Sequence, residues 1–274
     1  MYAGMMDDLI ILAGSGDLPV NLIKTLKNKN CFTLIISNTN WSKKLEKGNY
    51  KIVSLGNILT ELLKLKKMGY YNIIFAGGLE RPSISEIKPD INTLKFISKF
   101  TKVLLKGGDN RLLTSVIFEL ERLKFKVLSI RDLLPELFLG NGVISKKKPC
   151  SISMKDLKRG EFILKTLSNL DIGQSLIIQQ GNVLGIEAIE GTDALIMRVR
   201  KYIKEGVKPT LVKLLKDKQD LRADLPTIGL KTVNLCSKFG IAGIAFSSNK
   251  TIFLNNKKLI TEINRKNLFL IGLK

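Results

Sequence analysis

Two apolar runs in the first half of the chain each end in glycine, and this feature constrains the fold most. "LIILAGSG", residues 9–16, and "NIIFAGG", residues 72–78, both change abruptly from aliphatic side chains to glycine. Such aliphatic runs are typical of strands buried on both faces of a parallel sheet. Glycines directly after a strand allow the backbone to turn sharply into a helix.

Short β-rich runs alternate with helix-length amphipathic segments through this half. Strands are predicted at 8–12, 32–37, 51–54, 72–76 and 125–130, helices at 18–28 and 57–68, and mainly helical structure over 90–123. This alternation predicts a parallel sheet covered by helices. Its ligand crevice is expected at the carboxyl ends of the strands.

The pattern breaks at "LGNGVISKKKPCS", residues 139–151, which predicts a linker or an exposed crossover. We therefore predict an α/β protein of two domains. Residues 1–138 form an N-terminal Rossmann-like parallel-sheet domain, 139–155 a linker, and 156–274 a C-terminal α/β catalytic domain. The second domain is predicted to contain a helix at 156–169, strands at 175–179 and 183–189, and a helix from Thr192.

The composition excludes several classes of site. The chain has no histidine, which rules out imidazole metal ligands and a Ser/His/Asp triad. Cys31, Cys150 and Cys236 are too far apart for a zinc motif and are expected to be small core residues. No apolar stretch reaches the roughly 18 to 20 residues needed to span a bilayer. A cytoplasmic protein is expected.

A formal charge of +21 raises the question of nucleic-acid binding. Lysine is spread along the whole chain, however, and no ribonucleoprotein motif, zinc finger or concentrated basic arm is present. We therefore expect no nucleic-acid partner. A phosphate-bearing ligand or an anionic membrane surface needs only a local share of this charge.

The first glycine loop, with Gly14 and Gly16, is a candidate phosphate cradle ahead of a helix N-terminus. Pro19 stands where a dinucleotide-binding motif has its third glycine, and no acidic residue closes the second strand. A dinucleotide site is therefore not predicted. A tight strand-to-helix turn with Asp17 as cap is an equally good interpretation.

Further candidates lie in two glycine-containing segments. Gly77 and Gly78 repeat the first arrangement, and Arg81 follows as a side chain able to bind phosphate in a bidentate manner. Asp109, after another glycine pair, suits a ligand contact or a helix N-cap. On local evidence alone, Arg81 is better explained as a surface arginine before a proline turn.

The second half carries two polar segments. Glu187, Glu190 and Asp193 cluster around a glycine turn, and hard oxygen ligands of this kind suit Mg²⁺. Thr192, between them, suits a hydrogen bond to phosphate, although Thr192 and Asp193 also suit helix capping. Residues 219–229 form a predicted loop that carries Asp220, Arg222 and Asp224 ahead of Leu225-Pro226. A solvated turn is the alternative for this loop.

Three of these stretches together resemble one family, the LpxI-type UDP-2,3-diacylglucosamine diphosphatases of lipid A biosynthesis. The resemblance rests on "LAGSGDLP" at 12–19, "VLGIEAIEGTDALIMR" at 183–198, and "QDLRADLPTIGLKTV" at 219–233 followed by "GIAGIAF". It spans nearly the whole chain in order. The chain departs from the family pattern at residues 216–218, where "KDK" replaces lysine, proline and glycine, and at the first loop, where a third glycine is common.

The resemblance implies a metal-dependent hydrolase that cleaves the diphosphate of UDP-2,3-diacylglucosamine to UMP and 2,3-diacylglucosamine 1-phosphate, called lipid X. It also implies substrate binding between the two domains. Asp224 matches the critical aspartate of the family and is the candidate catalytic residue, as metal ligand or general base.

The remaining roles combine the resemblance with the residue chemistry. Mg²⁺ or another divalent cation is expected, because a chain without histidine must activate water by other means. The candidate metal ligands are Asp224, Asp220, Glu190 and Asp193. The candidate substrate-binding residues are Gly14, Gly16, Gly77, Gly78, Arg81, Asp109, Gln174, Thr192, Lys213 and Arg222.

Other partners and two rival functions follow from the same reading. A diacylated substrate implies an approach to the inner membrane, where lysines would meet anionic lipid, so peripheral association is expected and a homodimer is possible. The rival enzyme is a nucleotide-sugar oxidoreductase or transferase that uses the first half as a cofactor site. The rival from another class is a basic nucleic-acid-binding protein.

Overall fold

The computed structural model describes residues 8–26, 30–36, 49–78, 87–100, 109–170, 172–216, 219–222 and 225–274. The chain divides into two compact units. Unit 1 comprises Met1–Leu134 and Asp220–Asp224, and unit 2 comprises Pro135–Gln219 and Leu225–Lys274. The predicted α/β class, with a parallel sheet in the N-terminal part and a second sheet with helices in the C-terminal part, is confirmed.

The sheet of unit 1 has five parallel strands in the order β3-β2-β1-β4-β5. The strands are β1 (Leu9–Ala13), β2 (Cys31–Ile36), β3 (Tyr50–Val53), β4 (Asn72–Ala76) and β5 (Lys126–Val127). All five residues of β1 are buried, as expected for a central strand covered on both faces.

Helices connect these strands. They are α1 (Asp17–Thr25), α2 (Ile58–Lys67), α3 (Ile91–Ile97), α4 (Asp109–Arg122) and α5 (Ile130–Leu133), with 3₁₀ turns at Leu55–Asn57 and Ser98–Phe100. The strand predicted at 125–130 ends at Val127, because the Ser129 side chain accepts a hydrogen bond from the Arg131 amide and caps α5. The other strands of unit 1 begin and end within one residue of their predicted bounds.

Unit 2 contains a six-stranded mixed sheet in the order β6-β13-β11-β9-β7-β8. Its strands are β6 (Gly142–Val143), β7 (Ser175–Gln179), β8 (Asn182–Ile186), β9 (Thr210–Lys213), β11 (Gly243–Ser247) and β13 (Phe269–Leu273). β9, β11 and β13 are parallel, whereas β7 pairs antiparallel with both β8 and β9. Strands β10 (Thr227–Ile228) and β12 (Ile252–Phe253) form a separate parallel pair.

Helices cover both faces of this sheet, which gives three layers. α6 (Ser151–Ser168) packs on one face, and α7 (Gly191–Val199), α8 (Leu230–Lys238) and α9 (Asn256–Arg265) pack on the other. Short 3₁₀ turns lie at Pro135–Leu137 and Arg200–Tyr202. Segment 139–155, expected to be a linker, lies within unit 2, where β6 pairs with β13 and α6 begins at Ser151.

The cysteines occupy three different environments. Cys236 is fully buried in the core, and burial, with a smaller effect of the Asp193 charge, raises the pKa of its thiol far above the usual range. Cys31 is half-buried. Cys150 is exposed and caps α6, because its sulfur accepts a hydrogen bond from the Ser153 amide. The expectation that cysteines fill the core is therefore wrong for Cys150. No helix among the described residues is long and apolar enough to cross a membrane.

Gly77 is predicted to be indispensable for the stability of unit 1. Its φ is +84°, and an added Cβ would collide with the Ser15 carbonyl oxygen and lie 2.9 Å from Cγ of Pro19. We expect Gly77→Ala to lower the free energy of unfolding by about 3 kcal/mol or more, since backbone strain and overpacking add. Urea unfolding followed by circular dichroism measures this loss.

Gly69→Ala is the matched control, because Gly69 has a φ of +98° but open space around its Cβ position. It should cost only about 1 kcal/mol, from the backbone conformation alone. Equal losses in the two variants would contradict the proposed collision at Gly77.

Candidate active site

A row of polar side chains crosses one end of the sheet in unit 2. Ser175, at the start of β7, pairs in register with Lys213 at the end of β9. On its other side the Ser175 carbonyl accepts a hydrogen bond from the Glu187 amide, just past β8. Glu187, Ser175 and Lys213 therefore lie side by side on three neighbouring strands.

Thr192 connects this row to the first turn of α7. Its Oγ1 lies 2.7 Å from Nζ of Lys213, 3.0 Å from Oε1 of Glu187 and 3.2 Å from Oγ of Ser175. Thr192, Lys213 and Glu187 are each 7% exposed, and Ser175 is fully buried. The structure thus brings together two predicted substrate-binding residues, Thr192 and Lys213, in a buried cluster with Glu187 and Ser175.

The side chains of Thr192 and Asp193 do not cap α7, so the capping interpretation is wrong. The N-cap residue is Glu190, whose side chain makes no capping hydrogen bond to the helix. Thr192 joins the buried cluster instead. Asp193 accepts a hydrogen bond from Thr232 at 2.9 Å and forms a 3.0 Å ion pair with Lys231, which ties α7 to α8.

Gln174 is separated from the cluster by strand geometry. Side chains alternate between the two faces of a strand, and Gln174 directly precedes Ser175. Leu176, on the same side as Gln174, belongs to the core under α6, whereas Ile177 belongs to the core under α7. The predicted substrate contact of Gln174 stays a prediction, and its buried Oε1 has no partner among the described residues.

The candidate metal ligands have other partners. Glu190 binds Arg198 at 2.7 Å, and its own backbone amide, Arg198 and the Ala188 amide hold its pKa below the usual range. Asp193 binds Lys231 as described. Among the described residues, no group of three Asp, Glu or Cys side chains is placed to hold a metal ion. Asp224, the fourth candidate, lies outside the described residues.

Asp220 and Arg222 form an ion pair in unit 1. Arg222 donates through Nε and Nη2 to the two carboxylate oxygens, at 2.9 and 2.8 Å, and its Nη1 lies 2.6 Å from Oε1 of Glu121 on α4. The Leu221 carbonyl accepts a hydrogen bond from Ser129. This segment is therefore an ordered loop held to unit 1, and the alternative of a merely solvated turn is wrong for Asp220 and Arg222.

The glycine loops of unit 1 pair with each other. Gly78 donates to the Ser15 carbonyl at 3.0 Å, and Gly14 donates to the Ala76 carbonyl at 2.8 Å. These two amides are thus already used by the backbone. Gly16, with φ 95° and ψ −176°, is the N-cap of α1, and Asp17 is the first helical residue. The Asp17 cap interpretation is therefore wrong.

The remaining loop residues differ in what the structure describes. Pro19 lies in the first turn of α1, where its missing N–H costs no hydrogen bond. Asp109 is the first residue of α4, and only the backbone of this residue is described. Arg81 lies outside the described residues. Substrate contacts at these positions and at Gly14, Gly16, Gly77 and Gly78 stay predictions.

Asp220 is predicted to make the free energy of unfolding decrease as the pH falls below about 5. Hydrogen bonds from the Arg222 side chain hold the pKa of Asp220 below its ordinary 3.8. A carboxylate with a lower pKa in the folded state stabilises that state above pH 3.8, and this contribution is lost as the pH falls further. The stability of wild type should therefore decrease more than that of Asp220→Asn between about pH 5 and about pH 3.

Urea unfolding of both proteins across this range is the measurement. Arg222→Gln should show the same reduced sensitivity, and the double variant should show no further change, because both substitutions remove one interaction. A full acid dependence in Asp220→Asn would contradict the assignment.

Comparison with known proteins agrees with the two-unit organisation. The models of the LpxI N-terminal domain and the LpxI C-terminal domain match residues 8–137 and 140–271. A relative from Caulobacter vibrioides, named UDP-2,3-diacylglucosamine pyrophosphatase LpxI, is 29% identical over 275 residues. The alignment covers 97% of this chain and 98% of the relative. Since both halves match in order, the chain belongs to the LpxI family.

Proposed function

We propose that this chain hydrolyses the diphosphate of UDP-2,3-diacylglucosamine in lipid A biosynthesis. Water adds to one phosphorus, the bridging P–O bond breaks, and UMP and 2,3-diacylglucosamine 1-phosphate leave. The observation that carries this proposal is the match of both units to LpxI models, together with a relative of that activity aligned over nearly the full length of both chains.

The buried cluster of unit 2 supplies electrostatics that suit this reaction. Negative charge on the phosphoryl oxygens is stabilised by a fixed cation in a site with little water. Lys213 is such a cation, since the residue is only 7% exposed and its ammonium donates a hydrogen bond to Thr192. Asp224 remains the candidate that accepts the proton of the attacking water, on the strength of the family motif alone.

Dependence on Mg²⁺ is a separate proposal. The three described candidate ligands do not fit a metal site as they stand, because Glu190, Asp193 and Asp220 each bind a cationic side chain. We therefore assign no step of the hydrolysis to a metal held by these residues. The resemblance to a metal-dependent family is the reason to test divalent cations.

Release of UMP by the purified chain tests the activity. We expect release from UDP-2,3-diacylglucosamine with Mg²⁺, loss of release with excess EDTA, and recovery on adding Mg²⁺ back. Asp224→Ala should lower kcat by about two orders of magnitude or more while substrate still binds, as for a group that acts in the transition state. Binding of substrate to this variant is measured by calorimetry.

Each result separates the proposals. Release that persists in EDTA would overturn metal dependence but not the hydrolase. Normal turnover by Asp224→Ala would overturn the catalytic assignment. No release with any divalent cation would overturn the proposed function. Lys257→Glu serves as the control, because Lys257 is an exposed residue of α9 remote in sequence from the motifs.

We also propose that unit 2 associates with an anionic membrane surface through the outer face of α6. Phe162 is 71% exposed at the centre of this face, opposite the buried Leu157, Gly160 and Leu164. Exposed cations surround it at Lys155, Lys158, Arg159 and Lys165, with one carboxylate, Glu161. An exposed aromatic ring among cations suits the interface of an anionic bilayer. A symmetric dimer through this face would bring like charges together, so the possible homodimer is expected to use another surface.

Sedimentation with lipid vesicles tests this surface. Wild type should bind vesicles that contain phosphatidylglycerol and should bind pure phosphatidylcholine weakly, because each nearby lysine or arginine adds about 1 kcal/mol at an anionic surface. Lys155→Glu/Lys158→Glu and Phe162→Ala should weaken this binding. The controls Lys257→Glu/Lys258→Glu on α9 and Phe118→Ala on α4 should not, although they make the same changes at exposed residues.

Equal losses in test and control variants would show that only total charge matters. A change of molecular mass in solution for Phe162→Ala, without a change in vesicle binding, would indicate a protein interface instead. Either result overturns this proposal.

A further inference from the structure

We propose that Glu187, which belongs to neither set of candidate site residues, is a positioning residue that orients Thr192 and, through it, Lys213. This inference rests on the proposed function, because the effect is expected in the hydrolysis of the diphosphate. The carboxylate does not need to touch the reacting atoms. Its role follows from the directions of the hydrogen bonds, from burial and from one unpartnered oxygen.

The directions of the hydrogen bonds are fixed by the chemistry of the groups. A lysine ammonium can only donate, a carboxylate can only accept, and a threonine hydroxyl has a single hydrogen. Thr192 must therefore donate to Glu187 and accept from Lys213. Ser175, at 3.2 Å, must then be the donor in its contact with Thr192. Glu187 thus determines which way the Thr192 hydroxyl points, and its lone pairs face Lys213.

Burial makes the charge of Glu187 important for the same group. Lys213 and Glu187 are each 7% exposed, and an ionised side chain at that depth is stable only with compensating charges and hydrogen bonds. The carboxylate provides negative charge one hydroxyl away from the ammonium. Glu187 therefore helps to keep a cation at this end of the sheet.

The second oxygen of Glu187 suits a contact with the ligand. Oε2 is buried and has no hydrogen-bond partner among the described residues. Buried polar atoms are nearly always hydrogen-bonded, so such an atom needs an explanation. A carboxylate oxygen accepts hydrogen bonds from hydroxyl and N–H groups, and a nucleotide sugar carries both kinds of donor.

Asp156 shows what a purely structural carboxylate looks like in the same unit. It is 2% exposed, and its two oxygens accept hydrogen bonds from the amides of Gln180 and Gly181 at 2.8 and 2.6 Å. Both of its oxygens are used to hold the turn between β7 and β8. Glu187 instead binds a side-chain hydroxyl with one oxygen, and its other oxygen has no partner in the part of the chain that the structure describes.

The experiment compares Glu187→Gln with Asp156→Asn in the full chain. Both substitutions remove the charge of a buried carboxylate and keep its shape. We expect Glu187→Gln to lower kcat about 10- to 100-fold with a small change in KM, the range seen when groups that orient functional residues are removed. Asp156→Asn should lower the unfolding temperature and leave kcat of the folded enzyme within about threefold of wild type.

The split between kcat and KM decides against a simpler alternative. If Glu187 were only a negative charge near an anionic substrate, Glu187→Gln would strengthen binding, lower KM and leave kcat unchanged. That result overturns the proposal. So does a loss of kcat that is matched by Asp156→Asn, because loss of structure would then explain both.

Thr192 provides the test of the connection itself. Thr192→Ser keeps the bridging hydroxyl and should retain most of the kcat that Thr192→Val loses. In the Glu187→Gln background, Thr192→Val should cost much less than in wild type, because the two substitutions interrupt one path. Full additivity of the two losses would overturn the connection.

A readout without substrate separates this proposal from the proposed function. The ammonium group of Lys213 is observed by ¹⁵N nuclear magnetic resonance and assigned by its absence in Lys213→Met. Its proton exchange should be slow in wild type and faster in Glu187→Gln and Thr192→Val. If wild type releases no UMP, the proposed function fails, and unchanged exchange in both variants overturns the positioning role independently.

Discussion

A lysine ammonium at the end of a strand that is buried on both faces needs oxygen atoms from several elements at once. Thr192 of α7 supplies one of these oxygens to Lys213 in unit 2, and its hydroxyl also contacts Ser175 of β7 and Glu187 beyond β8. Removing a charge from water is costly unless such partners are already in place. The packing of α7 against the sheet and the polar cluster therefore depend on each other. A shift of α7 would remove the Thr192 hydroxyl from Lys213, and loss of the Lys213 charge would leave the buried Glu187 carboxylate without a nearby cation.

In unit 1 the limiting constraint is the close approach of two strand ends. Ser15 and Gly78 form a short antiparallel bridge past the ends of β1 and β4, and only glycine fits at position 77 beside it. The bridge uses backbone donors that a phosphate would otherwise bind, and Asp17 places a negative charge in the first turn of α1. For an anionic ligand, the described part of this loop is consequently a weaker site than its glycine content suggests, and the fixed cation of unit 2 is the better one.

The sequence predicted the regular parts of the fold because those parts depend on local patterns. β4 and β7 have their predicted bounds, since each is a short apolar run with polar or glycine residues on both sides. The strand predicted at 125–130 was too long, because the cap at Ser129 begins a helix there. β6 was not predicted, because two residues carry too little periodic signal and the strand forms only at the edge of β13. The capping roles assumed for Thr192 and Asp193 failed for a related reason, since both side chains found tertiary partners that no local rule contains.

For the candidate site, residue type was predictable but connection was not. Lys213 and Thr192 are 21 residues apart in the chain, and no local sequence pattern predicts the 2.7 Å hydrogen bond between them. Side chains alternate between the two faces of β7, and each face packs on a different core. This alternation would have placed Gln174 and Ser175 on opposite faces, if it had been applied to the strand predicted from residue 175. Glu187 lay inside the strand predicted at 183–189, whereas Glu190 directly followed that strand, so the sequence favoured Glu190 as the candidate ligand.

The excess of lysine and arginine explains why Glu187 differs from the other acidic residues, such as Glu190. With 45 lysines and arginines against 24 acidic residues, most exposed carboxylates have a cation within reach. Glu190, Asp193 and Asp220 accordingly form direct ion pairs, and any divalent cation would have to compete with the side chains that already bind them. Among the described contacts, the side chain of Glu187 is connected to Lys213 through the Thr192 hydroxyl, and no described residue donates a hydrogen bond to its second oxygen. In a chain this basic, a buried carboxylate that is connected to a cation through a hydroxyl group, as Glu187 is to Lys213, indicates the candidate active site more clearly than a cluster of acidic residues does.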